Sequence, residues 1–351
     1  MTGQNNKNSR TGKRVTVRDV ASAAGVAIAT VSRVVNGVPT VADDVRSKVL
    51  VAIEKLGWTP SAAAQTMRGI STRMVGFIFS DIRNPLYAAM IKGAEEVLSE
   101  HGYILMVASS NGSPQREAEL LALFKRRGAD GLIFSVEHEG NPDIALSLQT
   151  TGLPVVMLER EILALNINAV GADHAHGVNR ATEYLTSMGH KRIAVISGGK
   201  GNRVARDRYR GLEQAMSKAG LAIAPELMKL DSFDTEYAYR ETQMMLDLAA
   251  PPTAIIALGM HLLAGVLPAV RMRGLTIPDD ISIIASNDSE LAQLASPAIT
   301  VIRYDAQLLG REAAQLLLSQ LNDEHPSTGT RIEIPTELVV RASCGAPLRN
   351  G

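Results

Sequence analysis

Residues 17–36 read VRDVASAAGVAIATVSRVVN, and this stretch decides the fold of the amino-terminal part of the chain. Its apolar residues recur at helical spacing, the pattern breaks at Gly25, and it resumes at Val31. Ala21 lets two helices approach closely, Gly25 tolerates the positive φ of a tight turn, and Val31 can fill the core shared by the helices. The stretch therefore predicts a helix-turn-helix; a helical hairpin with exposed polar residues is the alternative.

A third helix is predicted from residue 42 to about residue 56. Asp43 and Asp44 lie in its first turn, where the helix dipole favours negative charge. One face of this helix is apolar and would close the core of the small unit, through Val45, Val49, Ile53 and Leu56.

The second helix of a helix-turn-helix enters the major groove of DNA with its amino-terminal residues forward. Ile28 and Ala29 are then placed for apolar contacts such as packing on a thymine methyl group, and Arg33 can bind guanine with two hydrogen bonds. Nearby polar side chains suit phosphate contacts that fix the register, namely Thr30, Ser32 and Asn36.

Charge is distributed unevenly along the chain, although the 36 basic and 36 acidic residues balance. Residues 1–70 contain ten Lys/Arg and four Asp/Glu, a charge of +6, which leaves −6 for the remainder. The basic charge of residues 1–70 and the acidic charge of the remainder indicate that only the amino-terminal part binds a polyanion. We expect residues 1–14 to be a disordered basic tail.

Residues 59–69, TPSAAAQTMRG, suggest a short helix. Pro60 can begin it, Ser61 can cap it, and Gly69 stops it. Two turns are marginal alone, so such a helix would form with DNA or a partner copy. An Ala/Met face ahead of Arg68 suggests a wedge for the minor groove, while a plain interdomain linker is the other interpretation. If it binds DNA, the segment would contribute Ser61, Ala64, Met67 and Arg68.

From Met74 onward, short β-rich runs alternate with helical stretches, which predicts parallel sheets covered by helices on both faces. The series restarts near Arg192, so two α/β lobes are expected, with ligand binding in the cleft beyond the carboxyl ends of the strands. A single large doubly wound sheet is the alternative. The predicted strands are Met74–Ser80, Tyr103–Ala108, Gly131–Ser135, Pro154–Leu158, Arg192–Ser197, Ala254–Leu258 and Ile281–Ser286.

Other classes of protein are disfavoured by the sequence. No run approaches the roughly 18 apolar residues of a membrane span, the first residues have no apolar signal region, and the single cysteine fits a reducing compartment. We therefore expect a cytoplasmic protein without a membrane partner.

Phosphate-loop, zinc-protease and serine-hydrolase motifs do not occur, and His174 and His176 have no evident co-ligands. We therefore expect that the protein is not an enzyme and that it binds no cofactor or metal. A transport-type binding protein would need an export signal and no basic headpiece.

The whole chain resembles the LacI/GalR family of bacterial transcriptional regulators. The match is strongest over residues 15–69, and six further motifs follow in the family's order. These are DIRNPLY at 81–87, GADGLIF at 128–134, GLPVVMLER at 152–160, GHKRIAVISG at 189–198, RDRYRGLEQA at 206–215 and IPDDISIIASND at 277–288.

The resemblance implies an all-α headpiece followed by a two-lobed α/β domain like that of periplasmic binding proteins. It implies a homodimer that reads a pseudo-palindromic operator in double-stranded DNA, with Thr16 and Val17 also at the DNA. The implied segments are a headpiece at 15–59, a hinge at 60–72, and an effector-binding and dimerisation domain at 73–343. Its first lobe takes about 73–172 and 305–333, its second about 173–304 and 334–343, and a tail covers 344–351.

The family's ligand positions carry over as a set of charged, polar and aromatic side chains suited to a small polar effector such as a sugar or a sugar acid. Two departures stand out, because many members have Asn-Asp where this chain has Gly259-Met260, and an acid where it has Asn287. The implied effector residues are Asp81, Asn84, Leu86, Tyr87, Arg160, Asp173, Arg208, Phe233 and Asp288.

Overall fold

The chain divides into two compact units, residues 1–72 and 73–351. The structure, a computed structural model, describes residues 15–35, 37–58, 71–162, 164–199, 201–322 and 329–348. The hinge prediction at Ser61, Ala64, Met67 and Arg68 lies outside these residues, as does the predicted phosphate contact of Asn36.

The first unit is a three-helix headpiece. Gly25 ends the first helix with φ 65°, the left-handed conformation that glycine adopts without strain. Val20, Val31 and Val49 come from the three helices and are fully buried against one another. The predicted turn and core are therefore confirmed, with α1 at Val17–Ala24, α2 at Ile28–Val35 and α3 at Asp43–Leu56.

The first lobe of the second unit contains a parallel six-stranded sheet with strand order β11-β5-β4-β3-β1-β2. Helices cover both faces, as continuous apolar strands require. The strands are β1 Met74–Phe79, β2 Ile104–Ser109, β3 Gly131–Phe134, β4 Val155–Leu158, β5 Asn168–Ala172 and β11 Arg331–Ile334, and the helices are α4 Pro85–Glu100, α5 Pro114–Arg127, α6 Pro142–Thr151 and α12 Ala306–Asn322.

The second lobe repeats the plan with strand order β12-β10-β9-β8-β6-β7, in which only the edge strand β12 is antiparallel. Its strands are β6 Ile193–Ser197, β7 Met228–Lys229, β8 Ala254–Leu258, β9 Ser282–Ser286, β10 Thr300–Arg303 and β12 Glu337–Val339. Its helices are α7 His174–Ser187, α8 Arg203–Lys218, α9 Thr235–Leu246, α10 Leu262–Met272 and the short α11 Glu290–Leu294, and a 3₁₀ turn spans Pro225–Leu227.

The chain crosses between the lobes three times within the described residues. It leaves the first sheet after β5, returns after β10 to form α12, and crosses again between β11 and β12. Each crossover follows the carboxyl end of a strand, so the residues at these points lie beside the cleft. Two separate sheets confirm the predicted two-lobed fold, and the single doubly wound sheet was the wrong alternative.

Two details go beyond the sequence prediction. The sequence prediction did not single out the strands β5, β7, β10 and β11. Within the predicted tail at residues 344–351, the Gly345 carbonyl accepts hydrogen bonds from His190 Nε2 at 2.8 Å and from the Ser282 hydroxyl at 3.2 Å. Over the part of the chain that the structure describes, no helix has the length and apolar character needed to cross a membrane.

Candidate functional site

The amino-terminal end of α2 offers an exposed surface on the headpiece. Ile28, Ala29 and Arg33 are solvent-exposed, and Thr30 and Ser32 are half-buried. Ile28 is 43% exposed, whereas its neighbour Val31 is fully buried, so the free face of α2 carries an apolar side chain that a partner can contact.

Thr16 and Val17 stand at the start of α1. Both the backbone N–H and the hydroxyl of Thr16 donate to the Asp19 carboxylate, at 2.8 and 2.7 Å. This arrangement fixes the first turn of the helix. The loop after α2 is tied to α3 by Arg46, whose Nη2 donates to the Val38 carbonyl at 2.8 Å.

A cavity of about 630 Å³ lies between the two lobes of the second unit. Residues just beyond the carboxyl ends of strands from both sheets line it, as expected for an α/β ligand site. Seven of the nine predicted effector residues are in this lining: Asp81, Asn84, Leu86, Tyr87, Arg160, Arg208 and Phe233.

The first-lobe wall is built on Tyr87. Its ring lies 4.9 Å from that of Phe79 and is buried. Its hydroxyl sits between the hydroxyls of Ser80 and Ser135, at 3.2 and 3.1 Å. These contacts hold the ring rigidly, so Tyr87 presents a preorganised aromatic surface to the cavity.

Phe233 forms the opposite, second-lobe wall, and two glycines make room for it. A Cβ at Gly198 or at Gly259 would lie 2.7 Å from the Phe233 ring. Gly259 is one of the positions that depart from the family pattern, and the structure shows its local role. The loss of a polar corner at 259 is coupled to an aromatic wall, which favours stacking on the apolar face of a ligand.

The cavity floor contains a buried acid–base group. Glu159 accepts from the His174 ring at 2.9 Å and from the Ala172 backbone N–H at 3.3 Å. Burial raises the pKa of Glu159, but the His174 ring and the nearby guanidinium groups outweigh it and hold the pKa below its ordinary value. The neighbouring Arg160 donates to the Glu159 carbonyl at 3.0 Å and approaches Glu137 at 3.7 Å.

Arg208 is the second guanidinium group of the floor. Its Nη1 donates to the Leu258 carbonyl at 2.7 Å and to the Ser197 hydroxyl at 3.2 Å. Burial lowers the pKa of Arg208 to about 10, so the group is desolvated but stays charged at neutral pH.

Polar side chains at the rim are organised by local bonds. Arg83 binds Asp81 through Nη2 at 2.9 Å and Nε at 3.1 Å, and the side-chain hydrogen bond lowers the pKa of Asp81 despite partial burial. Asn84 caps α4 by accepting from the Leu86 N–H at 3.1 Å. On the first-lobe side, the rim is therefore set by interactions within that lobe.

The structure does not bring Asp173 and Asp288 to the cavity. Asp173 caps α7 by accepting from the His176 N–H at 2.9 Å. Asp288 binds Arg341 at 2.6 Å and lies 3.6 Å from Arg303. Residue 287 has φ 67°, so adjacent side chains diverge there, and Asn287 rather than Asp288 lines the cavity.

A cluster of ion pairs joins the lobes beside the cavity. Arg206 of α8 binds Glu139 at 2.9 Å and Glu161 at 2.7 Å, both in the first lobe. Glu139 also accepts from the backbone N–H of Arg203 at 2.9 Å, and Arg203 binds Glu333 at 2.9 Å. These contacts connect the start of α8 to the first lobe, so they depend on the angle between the lobes.

Several lining residues were not predicted from the sequence, among them Glu137, Glu159, His174 and Tyr304. His174 and His176 both lie in the first turn of α7. Glu159 stands beside the predicted Arg160 but has φ 59°, and no local pattern marks that conformation for glutamate. Tyr304 lies at the second crossover, which only the tertiary fold brings to the floor.

Glu117 of α5 supports the cavity from behind, because its Oε1 accepts from the Glu137 backbone N–H at 2.9 Å. Its Oε2 is buried without a hydrogen-bond partner, and desolvation raises its pKa above the ordinary value of 4.5. A raised pKa means that the folded state holds the proton to higher pH than the unfolded state. Wild-type stability from this group is therefore greatest in acid and falls as pH rises from about 4.5 through the folded-state pKa.

We expect Glu117→Gln to stabilise the second unit by roughly 1 kcal/mol at pH 7, because the amide keeps the bond to Glu137 without a buried charge. The gain should shrink toward pH 4. Denaturant unfolding of both proteins from pH 4 to 8 measures it, with the exposed Glu213→Gln as control. A difference that is independent of pH would show that charge burial at Glu117 is not the cause.

Family models match both units of the chain. The model of bacterial regulatory proteins of the lacI family matches residues 16–61, and that of the periplasmic binding protein-like domain matches residues 182–344. These ranges cover the helix-turn-helix and most of the second lobe.

Relatives match over nearly the full length. The chain is 32% identical to the HTH-type transcriptional regulator DegA of Bacillus subtilis (strain 168), over 94% of this chain and 98% of DegA. It is 31% identical to the HTH-type transcriptional repressor PurR of Haemophilus influenzae (strain PittEE), over 93% and 98%. It is 30% identical to the ribose operon repressor of H. influenzae (strain KW20), over 92% and 96%.

Solved structures agree. A complex of the transcriptional regulator CelR with cellobiose is 28% identical, with a TM-score of 0.72 over 94% of this chain and all of that one. The lac repressor dimer bound to operator shares the fold with a TM-score of 0.80 at 24% identity, over 95% of this chain and all of that one. The chain belongs to the LacI family: it is a DNA-binding transcription regulator with an effector-binding domain, not an enzyme.

Proposed function

We propose that this protein is a cytoplasmic repressor that binds a pseudo-palindromic operator as a homodimer and whose affinity is set by a small polar effector in the interlobe cavity. One observation carries the proposal: an exposed α2 reading edge and a preorganised cavity occur in the same chain. The relatives named as repressors support the direction of regulation.

Operator reading is assigned to Ile28, Ala29 and Arg33, with Thr16, Val17, Thr30, Ser32 and Asn36 positioning the backbone. A single headpiece offers few base contacts, so useful specificity requires two half-sites. The hinge, with Met67 as a minor-groove wedge, would join headpiece to sensor. Methionine is more flexible than leucine, the usual wedge of the family. We therefore expect the kink in the operator to be somewhat less sharply defined.

Dimer formation is supported by apolar side chains left exposed on both lobes. Ile104, Met106 and Val107 lie on β2, which is the edge strand of the first sheet. Leu291 and Leu294 lie on α11 of the second lobe, and Leu294 is 83% exposed. An exposed apolar edge strand needs cover in solution, and a second copy would provide it at both lobes.

The effector would act through the angle between lobes. The cavity wall contributed by Tyr87 belongs to the first lobe and that of Phe233 to the second, and Arg206 joins the lobes by ion pairs. A ligand that binds one lobe angle better shifts the population toward it. The effector can either weaken or strengthen operator binding, since an inducer and a corepressor differ only in which lobe angle they prefer.

Arg33→Ala tests the reading edge. On the operator that the protein selects from random DNA, we expect a loss of roughly 1–3 kcal/mol in binding and loss of preference at one base pair of each half-site. Competition binding against single-base operator variants measures both. The exposed Lys55→Ala is the control. An equal loss on every sequence would make Arg33 a phosphate contact instead.

A further inference from the structure

We propose that the first turn of α8 is a lock that holds the two lobes at one angle through protein contacts alone. The α8 lock consists of Arg203 and Arg206 of α8 and of Glu139, Glu161 and Gly171 of the first lobe. That the lobe angle in turn controls DNA binding rests on the proposed function. The lock gives the sensor a resting arrangement, whose contacts must break before the lobes can adopt another angle.

Glu139 caps α8 from the opposite side of the cleft. Both oxygens of its carboxylate accept from the backbone N–H of Arg203, at 2.9 Å each. Asn202, the residue that precedes α8, accepts from the Ala205 N–H at 3.0 Å, as a cap usually does. The N–H groups of a first helical turn have no partner within the helix, and the helix dipole favours a negative charge beside them. The amino-terminal end of α8 is therefore completed by the first lobe.

Glu139 is fixed to its own lobe and shielded from water. Its Oε1 accepts from the backbone N–H of Glu161 at 3.1 Å, and only 5% of its side chain is exposed. Arg206 neutralises the pair, because its Nη2 binds Glu139 at 2.9 Å and Glu161 at 2.7 Å. Separating the lobes would break these charge-assisted hydrogen bonds together, so the contacts favour the lobe angle that forms them.

Gly171 makes room for the second cation of the lock. It lies in β5 of the first lobe, and a Cβ there would overlap the Nη1 atom of Arg203. A glycine inside a strand marks such a close approach. The Arg203 side chain crosses from α8 over this glycine and binds Glu333 of β11 at 2.9 Å. The first sheet is therefore shaped to receive a guanidinium group of the opposite lobe.

The same turn of α8 also lines the interlobe cavity. Asn202, Val204 and Arg208 belong to the cavity lining, whereas Arg203 and Arg206 bind the first lobe. A shift of the lining residues would therefore move the helical turn that carries the lock. This placement makes α8 the element that couples the cavity to the angle between the lobes.

Hydrogen exchange of the full-length protein without DNA tests the lock. Arg206→Gln removes the ion pairs across the cleft, and Gly171→Ala displaces the Arg203 guanidinium group without changing any charge. Arg180→Gln is the control, because Arg180 pairs with Glu183 at 3.3 Å within α7 of a single lobe. Circular dichroism checks that each variant folds.

We expect either lock variant to speed amide exchange about ten-fold or more on both sides of the cleft. The segments to follow are residues 136–141 and 160–162 of the first lobe and residues 201–207 of the second. The control should exchange like the wild type. The inference is overturned if neither lock variant changes exchange, or if each speeds it in one lobe only, as fraying of a single segment would.

Operator binding is measured separately, on the DNA site that the wild type selects. Both lock variants should change operator affinity in the same direction, by about three-fold or more. Faster exchange with unchanged operator affinity would support the lock and contradict the proposed link between lobe angle and DNA binding. A selected operator together with unchanged exchange would overturn the lock and leave the proposed function standing.

Discussion

Val31→Asp is expected to abolish sequence-specific DNA binding while leaving the second unit folded. Val31 is fully buried between the three headpiece helices, and a carboxylate there would be charged and unpaired. Such a group costs roughly 3–5 kcal/mol, which is about all that a core of this size supplies. Loss of the headpiece should lower operator affinity at least about a thousand-fold, to the non-specific level.

The chain provides its own probe and control for this experiment. Trp58 is the single tryptophan and packs on the headpiece core, so its fluorescence reports the unfolding of this unit. Val51→Asp makes the same change on α3 at a side chain that is 62% exposed, and it should preserve both fluorescence and DNA binding. Normal operator binding by Val31→Asp would show that operator recognition does not depend on the folded headpiece.

Glu159→Ala is expected to destabilise the second unit by roughly 3–5 kcal/mol, because it removes one partner of a buried charged group. His174 loses its acceptor, and the Ala172 N–H loses its side-chain bond. Arg160 and Arg208 also lose a neutralising carboxylate, since both interact with the charge of Glu159. Alanine also inherits φ 59°, a conformation that L-residues avoid.

Urea unfolding followed by circular dichroism measures this effect. Glu159→Gln keeps the length of the side chain and an acceptor for His174, so it should lose less than Glu159→Ala. The exposed Glu213→Ala on α8 should change stability by no more than about 0.5 kcal/mol. If Glu159→Ala were as stable as Glu213→Ala, the floor would not be held together by charge.

The features that the sequence predicted correctly are those that interactions between nearby residues determine. The helix-turn-helix was predictable because Ala21, Gly25 and Val31 each have one steric role at fixed spacing, and the structure places Gly25 at φ 65° and Val31 in the core. The lobes were predictable because their strands are apolar on both faces. Tyr87 and Arg160 were found through the resemblance to the LacI/GalR family, whose ligand positions fall on motifs that directly follow strands ending at the cleft.

The remaining errors come from long-range pairing. Asp288 turns to Arg341, which is 53 residues away in the chain, and no pattern around residue 288 reveals that partner. Glu159 and Asn287 reach the cavity through positive φ values, which non-glycine residues adopt only under tertiary constraint. The role of Gly259 could likewise not be predicted without knowing where the Phe233 ring lies.

The central claim is that α2 reads a specific DNA sequence. The most direct test is selection by the full-length protein from a pool of random duplexes, sequenced after several rounds, with Val31→Asp and Val51→Asp in parallel. We predict that the wild type and Val51→Asp enrich the same two-fold-symmetric site and that Val31→Asp enriches none. Absence of any enriched site with the wild type, or the same site enriched by Val31→Asp, would contradict the account.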